Sequence, residues 1–484
     1  MLTILSILLL LPFVGALLVS FFRRRIADTV ATFLAAVEMV VAIYAVWKGY
    51  GSHFLVKMGQ IPWISAKTLS FGIQMDSLSS LLLIPITVIG FLITLYSAGY
   101  LSKFNKEHPT QKEKGRYYFL VLLFIGAMTG LVLSPNFFQM FLFWELTTFC
   151  SWGLISFTRT NQAVEAGFKA LAITHGAGLF FVGALLIMFA GAGSFEFSAL
   201  AQLNPNMRVL TCIFLFIAAF GKAAQFPLST WLPSAMAAPT PASAYLHAAA
   251  MVKAGIYLIA RIAVLSGVVS TKAAFFTAIV AIVTMYIGVT FYFYQEDLKR
   301  LLAFSTITHL SYMVLGLSLG MLGSKLAFKG GLLHLINHSF SKSLLFLAVG
   351  AISCATGTKN IRLLSGLWRK MPITSAAFIF GALAICGVPP FNIFWSKFYI
   401  VAGAIQLGTW WGWLFGILAL IESIASFAWF LKVVQKVFFG PVSPAAEAAT
   451  DPPLTMLIPL LVLMALSILS PVFGLPIINS IFGN

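Results

Sequence analysis

Hydrophobic residues fill 60% of the 484 positions and charged residues only 9%, too few to cover a water-soluble surface of this length. A bilayer removes that requirement. The repeated apolar runs are of about 20 residues, the length that spans a ~30 Å hydrocarbon core as a helix and is too long for barrel strands. The net charge of +17 lies mainly in short loops between these runs, which fits the positive-inside pattern and excludes a nucleic-acid-binding surface.

In chain order, the apolar runs predict about fourteen spans: 2–22, 27–48, 76–101, 117–134, 137–158, 164–190, 208–238, 241–267, 272–294, 301–322, 326–354, 373–403, 409–438 and 454–480. The first has no basic stretch before it; Arg23, Arg24 and Arg25 follow it, so it reads as a retained span and not a signal peptide. The basic loops alternate. Arg23–Arg25, Lys103–Arg116, Arg159, Glu296–Arg300, Lys359–Lys370 and Lys432 with Lys436 fall on one side, which predicts both termini outside a prokaryotic cytoplasmic membrane. Lys57, Lys67 and Lys272 fall on the other side.

Two spans read as broken. The seventh carries GKAAQFPLSTWLP, with Pro227 and Pro233, and the twelfth carries CGVPPFNIFWSKF, with Gly387, Pro389 and Pro390. They are five spans apart, an odd offset that reverses direction across the membrane. Interrupted helices at matching places in two opposed halves mark a transport site near the midplane, whereas simple proline kinks carry no such meaning. The expected organisation is an N-terminal three-helix segment (1–116), two opposed units of spans four to eight (117–267) and nine to thirteen (272–438), and a C-terminal helix (439–484).

Ionisable side chains inside a span are costly and usually functional. Glu145, in FQMFLFWELTTFC, is one of 13 acidic residues and sits well inside span five, either handling protons or locking two helices together. His175 and Lys169 of span six are weaker candidates. Lys222 stands beside the break of span seven, where freed carbonyls can solvate it. His247 and Lys253 are six residues apart in span eight and do not share a face, although both can border one channel. In span eleven, His334, His338 and Lys342 recur every four residues and form one polar stripe. Neutral imidazole both gives and takes a proton, which suits a relay. His309 is a candidate link between the halves, and Lys397 repeats the placement of Lys222 beside a break.

Competing chemistry is poorly supplied. His-x-x-x-His on a helix can hold zinc, but the glutamate of His-Glu-x-x-His and a third ligand are missing, so no metal is expected. Cys150, Cys212, Cys354 and Cys386 have no cluster-ligand spacing, and no glycine loop is built to cradle phosphate. No cofactor is expected in this chain.

These stretches, together with DLKRLLAFSTITHLSYM, HLINHSFSKSLLF and GKAAQFPLSTWLPSAMAAPTPASAYLHAAAMVKAGIYLIAR, resemble the antiporter-like subunits of respiratory complex I, Mrp-type sodium/proton antiporters and membrane-bound hydrogenases. The similarity runs along nearly the whole chain. It implies an all-α fold of fourteen helices with two inverted five-helix repeats and broken helices seven and twelve. It further implies that Glu145 and Lys222 form a charge couple, that Lys253 and His247 pass protons toward His334 and His338, and that Lys397 serves the exit side. The pairing of His247 with Lys253 looks most like the Mrp A-type and hydrogenase-associated members. The chain ends soon after span fourteen, so it is not expected to supply the long C-terminal extension of the L-type and Mrp A-type subunits.

The expected function is that of a proton-translocating subunit in a redox-driven complex of hydrogenase or complex I type, or alternatively of an Mrp-type sodium/proton antiporter subunit. Its expected partners are other membrane subunits, a second antiporter-like chain among them, with redox chemistry in peripheral subunits. A structural subunit that has lost transport would show gaps in the ionisable series, and the series is intact.

Overall fold

Helix starts are written in the sequence as capping side chains. Asp76, Asn136, Thr160, Asn204, Ser270, Asp297, Ser324 and Thr409 each accept the backbone N–H three residues on. A computed structural model of the chain describes residues 1–22, 24–62, 68–107, 113–265 and 267–482. Arg23 and Lys67, counted above among the loop charges, lie outside the described residues. The elements run α1 (Leu2–Ser20), α2 (Arg24–Lys48), β1 (Phe54–Pro62), β2 (Thr68–Met75), α3 (Ser77–Tyr100), α4 (Lys114–Val132), α5 (Phe137–Ile155), α6 (Asn161–Ala192), α7 (Ala199–Gln202), α8 (Pro205–Lys222), α9 (Trp231–Ser234), α10 (Thr240–Ala248), α11 (Met251–Ala263), α12 (Thr271–Tyr292), α13 (Leu298–Met321), α14 (Lys325–Thr356), α15 (Pro372–Cys386), α16 (Asn392–Gln406), α17 (Trp410–Phe438) and α18 (Leu454–Ile481).

Among the described residues, 12 helical stretches are long and apolar enough to cross a membrane, with α10 and α11 taken together as one. The chain is thus an α-helical polytopic membrane protein. α5 is long enough, but Gln139, Glu145, Thr147, Thr148 and Ser151 make it more polar than those twelve. α15 and α16, of 15 residues each, are too short singly.

Both expected breaks are present. α8 stops at Lys222, and residues 223–230, which include Pro227, run as turns before α9. α15 stops at Cys386 on Gly387, whose φ of +82° needs a residue without a side chain, and Pro389 and Pro390 fill the gap before α16. A third break was not expected. Span eight divides at Ala249 and Ala250, between α10 and α11, and no proline or glycine marks it.

The apolar pattern predicts no element over residues 49–75, yet β1 and β2 form an antiparallel hairpin there, from Phe54 opposite Met75, with a bulge between Lys57 and Gly59. Gln139 of α5 holds it by bonding both the N–H (3.0 Å) and the C=O (2.9 Å) of Gly72. Ser77 and Ser480 share a hydrogen bond of 2.7 Å, so the hairpin, the start of α3 and the end of α18 lie at one end of the bundle. The opposite end carries the ion pairs Lys114–Asp28, Lys359–Glu107 and Arg362–Glu296.

α14 is the axis of the fold. Every residue from Gly330 to Ala355 is buried, and α3, α10, α13, α15, α16 and α18 pack around it. Its polar residues therefore lie in the protein interior and not against lipid.

Candidate functional site

Three groups of ionisable side chains follow one another across the bundle. In the first, His175 Nδ1 of α6 lies 2.6 Å from Glu145 Oε2 of α5. Gly178 makes room for this pair, since a Cβ there would stand 2.6 Å from Glu145 Oε1. The pair opens onto the flank of the bundle, with the His175 side chain 53% exposed and Glu145 24%. Lys222 is fully buried and donates to the Trp144 carbonyl (2.5 Å) and to Thr147 Oγ1, with its ammonium 4.6 Å from the centre of the Trp144 ring.

The resemblance pairs Glu145 with Lys222. Among the described residues no ion pair joins them, and the carboxylate of Glu145 meets His175. The reason is helical geometry. Trp144 and Thr147 share a face of α5, whereas Glu145 is turned about 100° away from Trp144. Nor is Lys222 solvated by carbonyls of its own broken helix: the carbonyl it meets belongs to α5.

The second group is a continuous row. Lys253 Nζ of α11 lies 3.1 Å from His338 Nδ1 and 3.3 Å from Met313 Sδ. The His338 ring centre is 5.4 Å from that of His309 on α13. His309 Nδ1 is 2.9 Å from His334 Nε2, and His334 Nδ1 is 2.9 Å from Ser396 Oγ on α16. All these side chains are buried. Burying an unpaired ammonium such as that of Lys253 costs several kcal/mol, so a polar row this dense is expensive to keep. Asn337 and Asn392 fix the far end, each donating its amide to the other's backbone carbonyl (2.7 and 3.1 Å), which locks the start of α16 against α14.

Ser396 leads to the third group, because Lys397 is the next residue. Its ammonium donates to Ser423 Oγ (2.9 Å), lies 3.7 Å from Glu422 Oε2 and stands 4.7 Å from the centre of the Tyr312 ring. The Tyr312 hydroxyl donates to Glu422 Oε2 at 2.6 Å, and the Tyr292 hydroxyl donates to Oε1 at 3.1 Å. Glu422, on α17, is fully buried and is absent from the residues singled out by sequence, although a lone glutamate in FGILALIESIASFAWF is the same signal that marks Glu145.

Two candidates stand off the row. Lys342 donates to the Leu302 carbonyl (3.2 Å) and Ser305 Oγ (2.8 Å) on α13. His247 is fully buried with neither ring nitrogen bonded, and its ring lies 5.1 Å from that of Phe346. Lys299, assigned above to a loop, is in fact buried. It donates to the carbonyls of Met236 (2.9 Å) and Ala238 (2.7 Å), at a cavity of about 650 Å³ that Glu107, Glu165, Lys169 and Lys359 also line. Among the described residues, no group of three or more His, Cys, Asp or Glu is arranged to hold a metal ion.

Near the hairpin end, Asp76 caps α3 just outside the span and takes a forked pair of bonds from Arg261 of α11. Burial pushes the Asp76 carboxyl upward, but the charge and hydrogen bonds of Arg261, with those of Ser79, outweigh it and hold the group well below the usual carboxylate range.

Comparison with known proteins finds the same organisation elsewhere. Residues 134–422 match the family described as NADH:quinone oxidoreductase/Mrp antiporter, TM, and residues 63–110 match NADH-ubiquinone oxidoreductase (complex I), chain 5 N-terminus. The chain is 35% identical over 511 aligned residues to Na(+)/H(+) antiporter subunit A1 of Staphylococcus aureus, an alignment covering 99% of this chain and 62% of that protein. The chain therefore spans less than two thirds of the length of that relative. A chain of the Mrp complex from Dietzia sp. DQ12-45-1b superposes with a TM-score of 0.87 at 29% identity, over 99% of this chain and 51% of that one. A chain of the archaeal membrane-bound sulfane sulfur reductase, a respiratory membrane complex, does so with a TM-score of 0.85 at 25% identity, over 99% and 96%. With the first family match spanning all three groups of the site, this chain belongs to the NADH:quinone oxidoreductase/Mrp antiporter membrane family.

Proposed function

We propose that the chain is the proton-translocating, antiporter-like subunit of a multisubunit membrane complex. The observation that supports this most strongly is the buried row Lys253, His338, His309, His334 and Ser396, whose ring nitrogens, ammonium and hydroxyl succeed one another at hydrogen-bond or ring-contact distance. Each imidazole can take a proton on one nitrogen and release one from the other, so the row can move charge laterally through α11, α13, α14 and α16. Lys397 and Glu422 end it with a pair in loose contact, at 3.7 Å, which can close or open as the row loads.

At the other end, we read Glu145 with His175 as the group that answers to a neighbouring chain, since the pair opens on a flank where Leu142, Phe149, Phe168 and Leu179 are exposed. Lys222 is on α8, which packs against both α6 and α11. Its transfer to Lys253 requires a bridging group, because no side-chain hydrogen bond links the two among the described residues.

We further read the fold as fourteen spans, with α5 and the α15–α16 pair added to the twelve long ones, and as two inverted units that break at 223–230 and at 387–391. The basic ends of α4, α13 and the segment 359–370 favour a cytoplasmic location for the end opposite the hairpin, with both termini outside.

The driver is proposed to be a redox reaction in partner subunits, a reading supported by likeness to a respiratory reductase chain. The second reading, exchange of sodium for protons driven by the gradients alone, is supported by 35% identity to a Na(+)/H(+) antiporter subunit. Co-purification separates them. Redox subunits carrying iron–sulfur centres support the first, and an assembly of small membrane subunits alone supports the second. The translocation reading is tested by Lys222→Ala in the assembled complex: proton movement into vesicles should be lost while the subunits still co-purify, and unchanged movement would overturn it.

A further inference from the structure

The buried face of α2 is made of alanines except for Glu38 and, near its end, Val46. Ala27, Ala31, Ala35, Ala42 and Ala45 are each 0–1% exposed, and at the centre of that stripe, in helical register, stands Glu38 at 2% exposure. Small residues there let α2 approach α1, α3 and α4 closely, so a carboxyl in the same stripe fills space that Ala35 and Ala42, the buried positions on either side, keep small. Its polar neighbour is the fully buried hydroxyl of Thr129 on α4, close enough to act on the carboxyl, but neither carboxyl oxygen nor that hydroxyl makes a well-formed hydrogen bond. Three buried oxygens from two helices thus meet in the membrane interior with no well-formed hydrogen bond among them. Both residues lie outside the two family matches, at 63–110 and 134–422.

We propose that Glu38, with Thr129, is a reversible proton-binding site in the membrane interior, separate from the central row. The ligand is a proton and not a metal cation, because hard cations demand a shell of many oxygens and this site offers three. The step is simple: an O–H bond forms on a Glu38 carboxylate oxygen when the site loads and breaks when it empties, with the neutral acid as the form the apolar surroundings tolerate.

Further titratable groups lie on the same two helices and on α10. Asp28, ten residues before Glu38 and so about 15 Å along α2, accepts bonds from Lys114 (2.6 Å) and Tyr118 (2.8 Å) of α4. Asp28 and Lys114 line a cavity of about 860 Å³ at the end opposite the hairpin. On the other side Tyr245 of α10, two residues from His247, lies within electrostatic reach of Glu38. Of the elements packed on α2, α1 has no titratable side chain, α3 has Tyr96 and Tyr100, and α4 has Lys114, Arg116, Tyr117 and Tyr118 in its first turns. None of the cations among these is placed to neutralise Glu38 in an ion pair.

The test is infrared difference spectroscopy of the full chain in lipid nanodiscs, titrated with pH, for the wild type and for Glu38→Gln and Glu38→Ala. The wild type should show a carbonyl stretch of a protonated carboxylic acid that appears and vanishes with pH, and both variants should lose that component. Glu38→Ala completes the alanine face and should raise the melting temperature, so a failure to fold does not cloud the result. A spectrum identical in all three proteins would overturn the proposal. So would a component that sodium displaces at constant pH, which would make the site one for a metal cation. Neither outcome bears on the central row, whose own test is proton movement in the Lys222 variant.

Discussion

Lys397 and Glu422 show how one residue's placement sets the cost of another. Glu422 is fully buried and its charge is answered by Lys397 at 3.7 Å and by the hydroxyls of Tyr292 and Tyr312. Lys397→Met removes the only cation in ion-pair distance among the described residues and should destabilise the protein by about 3 kcal/mol, the usual cost of stranding one charge of a buried pair. Adding Glu422→Gln should recover most of that loss in thermal unfolding. A double variant no more stable than the single would show that the two do not interact. Lys397 was legible in the sequence because it follows a Gly-Val-Pro-Pro interruption. Its partner was not, because residues 397 and 422 are brought together only by the turn between α16 and α17, and no periodicity reports that contact. The same limit explains Glu145: its position inside a span was plain, but that it would meet His175 and not Lys222 depends on which face of α5 each neighbour approaches.

At the scale of the elements, spans and proline-marked breaks could be read directly, since apolar length and loss of a backbone donor are local properties. The division of α10 from α11 could not, because alanines 248–250 carry no helix-breaking signal and the break is set by packing. Just past the break α11 comes very close to α8 at Gly255: a Cβ there would stand 2.4 Å from the Ala219 carbonyl and 2.8 Å from the Ala223 nitrogen of the α8 end. Gly255→Ala should therefore push α11 off α8 and cost about 1–3 kcal/mol, read as a lower melting temperature in detergent, and an unchanged value would refute the close approach. The Asp76–Arg261 clamp makes a second prediction for an element contact. Because the folded carboxyl lies below its ordinary unfolded value of about 3.9, its stabilisation is present above that pH and is lost as pH falls toward the folded value. Asp76→Asn should be less stable than the wild type at neutral pH, and the gap should narrow below about pH 4. A gap independent of pH would contradict a charge-based role for the clamp.

In the proposed working of the whole molecule, a lateral row of proton carriers connects a flank group that faces a neighbouring chain to a terminal acid–lysine pair. The molecule then has a defined sidedness, with the hairpin end outside. The four native cysteines are buried, so Ser52→Cys, at the exposed approach to the hairpin, offers a single reactive thiol. An impermeant maleimide should label it from outside intact cells, and labelling only after lysis would reverse the proposed orientation. The central claim, that the buried row carries the protons, is tested most directly by reconstituting the assembled complex with Lys253→Ala and following proton movement with a pH-sensitive dye. The variant should assemble with its partners and move no protons when driven, and proton movement at the wild-type rate would contradict the claim.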